Sequence, residues 1–280
     1  ALLGASGCGK SMTLKCIAGL ERPDRGRIVL DGRVLFDSEK GINLSPQQRQ
    51  VGYLFQNFAL FPNMTIADNI RFVAKGSRQE REQRVRENLA RFDLTELGGA
   101  YPMELSGGQQ QRAALARILA ADAKILLLDE PFSALDHYLK WKLELELREV
   151  LKSYGGAAML VSHDRGEVYR LADHAAVIDR GQMQPVRTRD ELFEHPNTLA
   201  ATLLTGCKNV SAAQKTGNGI VEAADWQLTL HVSGPVSNQT AYVGLRAHFL
   251  VYREGGERPE ENIFRMEVTD VIEDTFSYLI

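Results

Sequence analysis

The sequence GASGCGKS, from Gly4 to Ser11, has the residue types and spacing that bind phosphate groups. It fits the pattern G-x-x-x-x-G-K-[ST], in which a glycine-rich loop wraps its backbone N–H groups around phosphate oxygens at the amino end of a helix. We expect Lys10 to neutralise the β- and γ-phosphates of a nucleotide and the Ser11 hydroxyl to bind Mg²⁺. The predicted nucleotide-contacting residues of this loop are Gly4, Ala5, Ser6, Gly7, Cys8, Gly9, Lys10, Ser11 and Met12.

A second candidate for chemistry is the pair of carboxylates at the end of the apolar run KILLLDEP. This run predicts a buried strand whose last residue, Asp129, emerges at the carboxyl end of the sheet, where such folds bind ligands. We expect Asp129 to hold Mg²⁺ through water and Glu130 to orient or deprotonate the attacking water as general base. Without the upstream loop, a strand ending in Asp-Glu would more often be a solvated turn.

A second anion-binding segment, LSGGQ, occupies residues 105–109. Gly107 and Gly108 precede QQQRAALARILAADA, a predicted helix with an apolar stripe that begins at Gln109, so their N–H groups and the Ser106 hydroxyl form another anion-binding helix terminus. The first loop already encloses the phosphates of its own nucleotide. We therefore expect the second segment to cover a nucleotide held by another copy, with two chains facing head to tail and two ATP molecules between them.

These motifs together resemble the ATP-binding cassette family, specifically the nucleotide-binding subunit of an ABC transporter. GASGCGKS, LSGGQ, ILLLDE, SALD and VSHD stand in the order of that family and span nearly the whole chain. The resemblance implies that Gln56 contacts Mg²⁺ and the attacking water. It also implies that His163 reaches the γ-phosphate and that Asp136 belongs to a loop that crosses to the partner.

Each of these residues also has an ordinary structural explanation. Gln56 could be a polar loop residue, and His163, at the end of a buried strand, could be a satisfied core histidine. Ser106 and the glycines after it could serve only as a helix cap. The ordered set of five motifs favours the functional assignment for all of them.

The positioning elements follow from the alternation of apolar runs and helical stretches between Gly4 and about Asp190. This pattern predicts a P-loop NTPase-type α/β fold, with a mostly parallel sheet covered by helices. We expect an ATP-binding cassette domain at residues 1–195 with a helical insertion at about 75–118. Period-two alternation after Pro196 predicts a separate, small all-β accessory domain at residues 196–280.

Composition limits the function classes. The chain has 280 residues, 44% hydrophobic and 25% charged, with a formal net charge of -3, and nothing in it indicates disorder or nucleic-acid binding. No apolar run approaches the roughly 20 residues of a membrane-spanning helix. Its three cysteines lack metal-ligand spacing, and we expect reduced thiols.

We expect the sequence to be a fragment at both ends. Only Ala1, Leu2 and Leu3 precede the first loop, and the chain stops within an alternating strand pattern. In the family, an aromatic residue that stacks on adenine normally lies upstream of the first loop, so the resemblance places that residue outside this sequence.

The resemblance also implies partners. It predicts a peripheral protein at the cytoplasmic face of the membrane, working with permease subunits and indirectly with an extracytoplasmic anion-binding protein. The segment NFALFPNMTIADNI, directly after Gln56, mixes apolar and aromatic residues and is a candidate permease contact, with an ordinary packed loop as the alternative. Within the family the chain looks most like the molybdate importer branch, followed by sulfate or thiosulfate importers. A different solute, a soluble ABC ATPase, and a β domain that senses the transported anion remain alternatives.

Overall fold

A computed structural model of the chain describes residues 1–133, 137–251, 262–264, 267–274 and 277–279. The chain divides into two compact units, Ala1–Thr205 and Gly206–Ile280. Among the described residues, no helix is both long enough and apolar enough to cross a bilayer.

In the first unit the strands are β1 Leu2–Leu3, β2 Arg27–Leu30, β3 Arg33–Asp37, β4 Ile42–Asn43, β5 Val51–Leu54, β6 Ile125–Asp129, β7 Ala157–Ser162, β8 His174–Asp179, β9 Gln182–Met183 and β10 Arg187–Thr188. The helices are α1 Lys10–Ala18, α2 Pro46–Arg49, α3 Ile66–Val73, α4 Arg78–Arg91, α5 Gly107–Ala120, α6 His137–Ser153, α7 Arg165–Leu171, α8 Arg189–Glu194 and α9 Leu199–Leu204.

The described residues of the first unit form a seven-stranded sheet in the order β10-β8-β1-β7-β6-β5, with β9 paired to β8. The strands β8, β1, β7, β6 and β5 pair in parallel, whereas β9 and β10 pair antiparallel to β8. Leucines 126–128 of β6 are fully buried, which is the pattern of a strand covered on both faces. A separate antiparallel sheet contains β2, β3 and β4.

Two helical layers position the site. Leu14 and Ala18 of α1 pack in one apolar cluster with Leu127 and Val161 of the sheet. Between β5 and β6 the chain forms α3, α4 and α5, which pack on one another. Their apolar stripes belong to a second, larger cluster that also includes Leu126 and Leu128.

The second unit is antiparallel. Its elements are β11 Asn209–Gly217, β12 Ile220–Ala223, β13 Leu228–His231, β14 Tyr242–Leu245, β15 Ile272–Asp274 and β16 Ser277–Leu279. In its described residues, β11 to β14 form a sheet in the order β13-β12-β11-β14, and β15 pairs with β16.

The predicted fold class is confirmed, because the observed architecture is a mostly parallel sheet with inserted helices followed by antiparallel β structure. The domain limits at residues 195 and 196 stay predictions. The structure places α9 with the first unit, where Ala201 packs in a cluster with Leu3 and Leu192.

Candidate active site

The first phosphate-binding loop connects β1 to α1 at the carboxyl end of the sheet. Gly7 and Gly9 have φ values of 79° and 105°, a left-handed conformation that favours glycine. At Gly4 an added Cβ would lie 2.6 Å from both Cys8 Sγ and the Ile178 carbonyl oxygen, so only glycine fits there. Most of the predicted nucleotide contacts are exposed around this loop, namely Ala5, Ser6, Gly7, Gly9 and Met12.

Lys10 is 4% exposed, and its ammonium group turns back into the loop. Its Nζ donates to the carbonyl oxygens of Gly4 and Ala5, both at 2.8 Å. The same Nζ lies 3.9 Å from Cys8 Sγ and 3.9 Å from Glu130 Oε1. A buried cation is thereby satisfied by oxygen atoms that phosphate oxygens can replace.

Asp129 receives a hydrogen bond at each carboxylate oxygen. Ser11 Oγ donates to Oδ1 at 2.6 Å, and the Tyr53 hydroxyl donates to Oδ2 at 2.7 Å. Burial is the larger cause of a raised pKa of Tyr53, and the hydrogen bond to Asp129 raises this pKa further. The phenol therefore stays a hydrogen-bond donor at neutral pH. Tyr53 reaches Asp129 because β5 pairs with β6, opposing Tyr53 to Leu127 and Leu54 to Leu128.

This donor set fits Mg²⁺. The cation takes hard oxygen ligands and is commonly held by one or two carboxylates together with substrate phosphates. Ser11 and Asp129 present a hydroxyl and a carboxylate oxygen in direct contact at the edge of the phosphate loop. No group of three or more His, Cys, Asp or Glu side chains arranged for a metal occurs in the described ranges.

Glu130 lies between Lys10 and His163. Its Oε1 is 3.9 Å from Lys10 Nζ, and its Oε2 is 3.2 Å from His163 Nδ1. The backbone of Glu130 has a φ of 44°, an uncommon left-handed value for a non-glycine residue. Its N–H donates to the Val161 carbonyl at 3.1 Å, and Ser133 Oγ donates to its carbonyl at 3.0 Å. These bonds hold the turn that aims the carboxylate.

His163 follows β7 and is largely exposed, so it is not a core histidine. Behind it, Asp164 caps α7 by accepting hydrogen bonds from the N–H groups of Gly166 and Glu167. Lys140 Nζ lies 2.5 Å from carboxylate oxygens of both Asp164 and Glu167. This ion-pair cluster fixes the start of the helix that follows His163.

The structure places Gln56 two residues beyond the end of β5, at the same sheet edge as Asp129. Its side chain is exposed and has no hydrogen-bond partner within the described part of the chain. No hydrogen bond or ion pair of the described residues joins Gln56 to Lys10, Glu130 or His163.

The segment LSGGQ lies on another element, the amino end of α5. The Ser106 N–H donates to Gln109 Oε1 at 2.8 Å, and the Gln109 N–H donates to Ser106 Oγ at 3.4 Å, which is a capping box. Ser106 and Gly107 are exposed, whereas Gly108 is buried. Across the described ranges, no hydrogen bond or ion pair joins this segment to the first loop. Asp136 lies outside the described residues.

Two residues of this region escaped the sequence analysis. Tyr53 precedes Gln56 by three positions on an apolar strand, and only the pairing of β5 with β6 reveals its contact with Asp129. Arg117 lies in the apolar stripe of α5 and is buried against the loop after Gln56, donating to the Phe58 and Ala59 carbonyl oxygens. An arginine within an apolar helix face was the available signal for it.

Comparisons with known proteins agree with this arrangement. The sequence pattern of the family described as "ABC transporter" matches residues 1–133. The chain is 40% identical over 266 residues to the "Trehalose/maltose import ATP-binding protein MalK" of Thermococcus litoralis, covering 93% of this chain and 70% of that protein. It is 41% identical over 250 residues to the "Sulfate/thiosulfate import ATP-binding protein CysA" of Mesorhizobium japonicum, covering 86% and 70% of the two chains.

A solved structure extends the likeness to three dimensions. The ATP-binding cassette MJ0796, determined as a dimer in a post-hydrolysis state bound to ADP and Pi, has a TM-score of 0.56 and 30% identity, covering 67% of this chain and 84% of that one. The resemblance inferred from the motifs is therefore confirmed: the chain belongs to the ABC transporter family, as an ATP-hydrolysing ATP-binding cassette.

Proposed function

We propose that the chain energises a membrane importer, with two copies closing head to tail on two ATP molecules. The observation that carries this proposal is the position of the Glu130 carboxylate, 3.9 Å from Lys10 Nζ and 3.2 Å from His163 Nδ1, next to the Ser11–Asp129 pair. A carboxylate so placed can take a proton from water beside a bound γ-phosphate.

In this proposal Lys10 exchanges the carbonyl oxygens of Gly4 and Ala5 for the β- and γ-phosphate oxygens of ATP. Ser11 and Asp129 hold Mg²⁺, which when bound neutralises charge on the phosphates. Glu130 accepts the proton of the attacking water, and Gln56 and His163 orient the water and the γ-phosphate. Tyr53 keeps one oxygen of Asp129 occupied, so that the other faces Ser11.

In this proposal a second copy of the chain completes the nucleotide site with its LSGGQ segment. Ser106 and Gly107 are exposed and Gln109 is half-buried, and no hydrogen bond or ion pair among the described residues joins them to the phosphate loop of their own chain, which supports a contact with the nucleotide of a partner. Asp136 contributes to the same crossing contact in this proposal. The similarity to a cassette solved as a dimer favours this assembly.

The names of the relatives bear on the class of transporter more than on its solute. Both curated relatives bear names of import ATP-binding proteins, which supports permease subunits as partners and a peripheral position at the cytoplasmic face of the membrane. Their names differ in solute, so they support import without favouring one solute. In this proposal the permease and its binding protein select the solute. We favour an inorganic oxyanion, molybdate first and sulfate or thiosulfate second, on the sequence resemblance alone.

The test is uptake of labelled molybdate and sulfate by membrane vesicles that contain this chain, its permease and its anion-binding protein. We expect ATP-dependent molybdate uptake that stops when Glu130→Gln replaces the wild-type chain. Uptake of sulfate alone would replace molybdate by the second candidate. ATP hydrolysis that never depends on a permease would favour the soluble ATPase alternative.

A further inference from the structure

The segment that follows Gln56 has an unusual backbone. Phe58 and Ala59 have φ values of 60° and 45°, so two consecutive non-glycine residues adopt the left-handed conformation. Such residues are costly, and they persist only where the surrounding structure fixes them. The contacts that fix this segment therefore also set where Gln56 lies.

One fixing contact comes from Arg117 on α5. Its Nη2 donates to the Phe58 carbonyl at 3.0 Å, and its Nη1 donates to the Ala59 carbonyl at 2.7 Å. The guanidinium carbon lies 5.2 Å from the centre of the Phe61 ring. Arg117 is 6% exposed, and no carboxylate of the described residues pairs with it. A buried cation is costly unless it is hydrogen-bonded. Here the carbonyl groups of Phe58 and Ala59 accept the hydrogen bonds of the Arg117 guanidinium.

A hydrogen-bonded turn connects this contact to Gln56. The N–H of Phe58 donates to the Phe55 carbonyl at 2.9 Å, which places Gln56 and Asn57 at the central positions of the turn. Phe58 closes the turn with its N–H and is held by Arg117 through its carbonyl. The Gln56 side chain has no partner of its own in the described part of the chain, so this turn sets its position.

A second buried side chain holds the other end of the segment. Asn69 of α3 is fully buried; its Oδ1 accepts from the Phe61 N–H at 2.8 Å. Its Nδ2 donates to the carbonyl oxygens of Phe61, Met64 and Thr65 at 3.0 to 3.1 Å. At the turn that holds Gln56, by contrast, the buried Phe58 ring shares an apolar cluster with α5, and among the described residues Arg117 supplies the side-chain hydrogen bonds from α5.

We propose that Arg117 is a positioning residue for Gln56, acting through the Phe58 and Ala59 carbonyls. The inference rests on the proposed role of Gln56 in hydrolysis. Because α5 begins beside Ser106, one helix carries both the predicted contact with the partner's nucleotide and the group that holds the Gln56 turn.

The first measurement is amide hydrogen exchange of residues 55–61 in the nucleotide-free protein. In Arg117→Met we expect the amides of Phe58 and Ala59, which donate to the Phe55 and Asn57 carbonyls, to exchange at least about tenfold faster, because the charge-assisted hydrogen bonds that hold their turn are lost. Arg117→Lys can donate to one carbonyl and should give an intermediate rate. The matched control is Arg49→Met, since Arg49 is also buried and donates to carbonyl oxygens, those of Leu44, Cys16 and Ile17. It should not change exchange at residues 55–61.

The second measurement is a double-mutant cycle on kcat at saturating Mg²⁺ and ATP. Arg117→Met should lower kcat in the wild-type background. In a Gln56→Ala background the same substitution should change kcat by less than about twofold, because the effects of mutations in residues that act together do not add. Arg49→Met should combine additively with Gln56→Ala. Arg117→Lys, which keeps the charge, serves both measurements if Arg117→Met does not fold.

Unchanged exchange at residues 55–61 would overturn the inference, and so would accelerated exchange with a fully additive cycle. If Gln56→Ala left kcat unchanged, the proposed role of Gln56 would fail, whereas the exchange rates would still decide whether Arg117 holds the turn. The two failures are therefore distinguishable.

Discussion

Glu130 Oε2 lies 3.2 Å from His163 Nδ1, across the carboxyl ends of the neighbouring strands β6 and β7. The pairing of β6 with β7 sets Asp129 opposite Val161. Glu130, the residue after β6, and His163, the residue after β7, therefore emerge at the same edge of the sheet. The parallel register therefore brings the proposed base and the proposed γ-phosphate contact together from positions 33 residues apart.

Replacing Glu130 by Gln tests the base. The amide keeps the shape of the side chain but cannot accept the proton, so we expect hydrolysis to fall at least about 100-fold. ATP binding should remain because Lys10 and the loop are intact, and light scattering should detect a dimer with Mg²⁺ and ATP. Glu87→Gln, on the exposed surface of α4, is the control and should hydrolyse ATP normally. A variant that stays monomeric with ATP would argue against the shared site.

Tyr53→Phe tests the second bond to Asp129. Loss of the hydroxyl leaves Asp129 Oδ2, on a residue 6% exposed, without the 2.7 Å donor that now satisfies it. We expect the free energy of unfolding to fall by about 1–3 kcal/mol. In Tyr154→Phe the lost bond is to a neutral acceptor, the Ala123 carbonyl, and a smaller loss is expected. Urea unfolding measures both, and equal losses would show that the carboxylate is not the important partner.

Much of the fold was predictable from the sequence, because apolar runs and helical periodicity within short segments indicate its strands and helices. The apolar run of β6 and the helix after Ser11 indicated a parallel sheet with its ligand edge at Asp129, and the structure has that arrangement. The motif residues Lys10, Asp129, Glu130 and His163 then meet because parallel strands end at one edge.

The contacts of Tyr53 and Arg117 were not predictable from local pattern. The contact of Tyr53 depends on which strand pairs with β6, and that neighbour, β5, is separated from β6 by 70 residues of chain that include three α-helices. The contact of Arg117 depends on a loop whose backbone is left-handed at two positions. The loop sequence NFALF does not indicate this conformation, because it contains no glycine. Both contacts arise from tertiary packing.

The ion pair beside His163 predicts how stability depends on pH. Burial alone would raise the pKa of Asp164, but hydrogen bonds from Lys140 and the Gly166 N–H outweigh it and lower the pKa below the ordinary 3.8. A carboxyl with a lowered folded pKa stabilises the fold above its unfolded pKa, and this contribution is lost as the pH falls through the folded value. We expect Asp164→Asn, which can still cap α7, to lose stability near pH 7 and to lose progressively less as the pH falls below 3.8.

Urea unfolding of wild type and Asp164→Asn between pH 7 and pH 3 measures this difference. Glu149→Gln is the control, because the Glu149–Lys152 pair is exposed and surface pairs contribute little. A difference between wild type and Asp164→Asn that stayed constant down to pH 3 would mean that the ion pair with Lys140 is not its cause.

Ser106→Arg tests whether the nucleotide site is completed by a second copy. The variant loses the Ser106 cap of α5, which should cost about 1 kcal/mol of stability, and it places a bulky cation where the partner's nucleotide is proposed to lie. We expect each chain to bind ATP through its own loop but to lose turnover. Ser77→Arg is the matched control, since Ser77 caps α4 in the same capping box with Glu80 and lies outside the proposed site. It should lose similar stability and keep its turnover. Because the two variants share the capping defect, only a contact across the dimer separates their activities, and equal turnover in both would refute it.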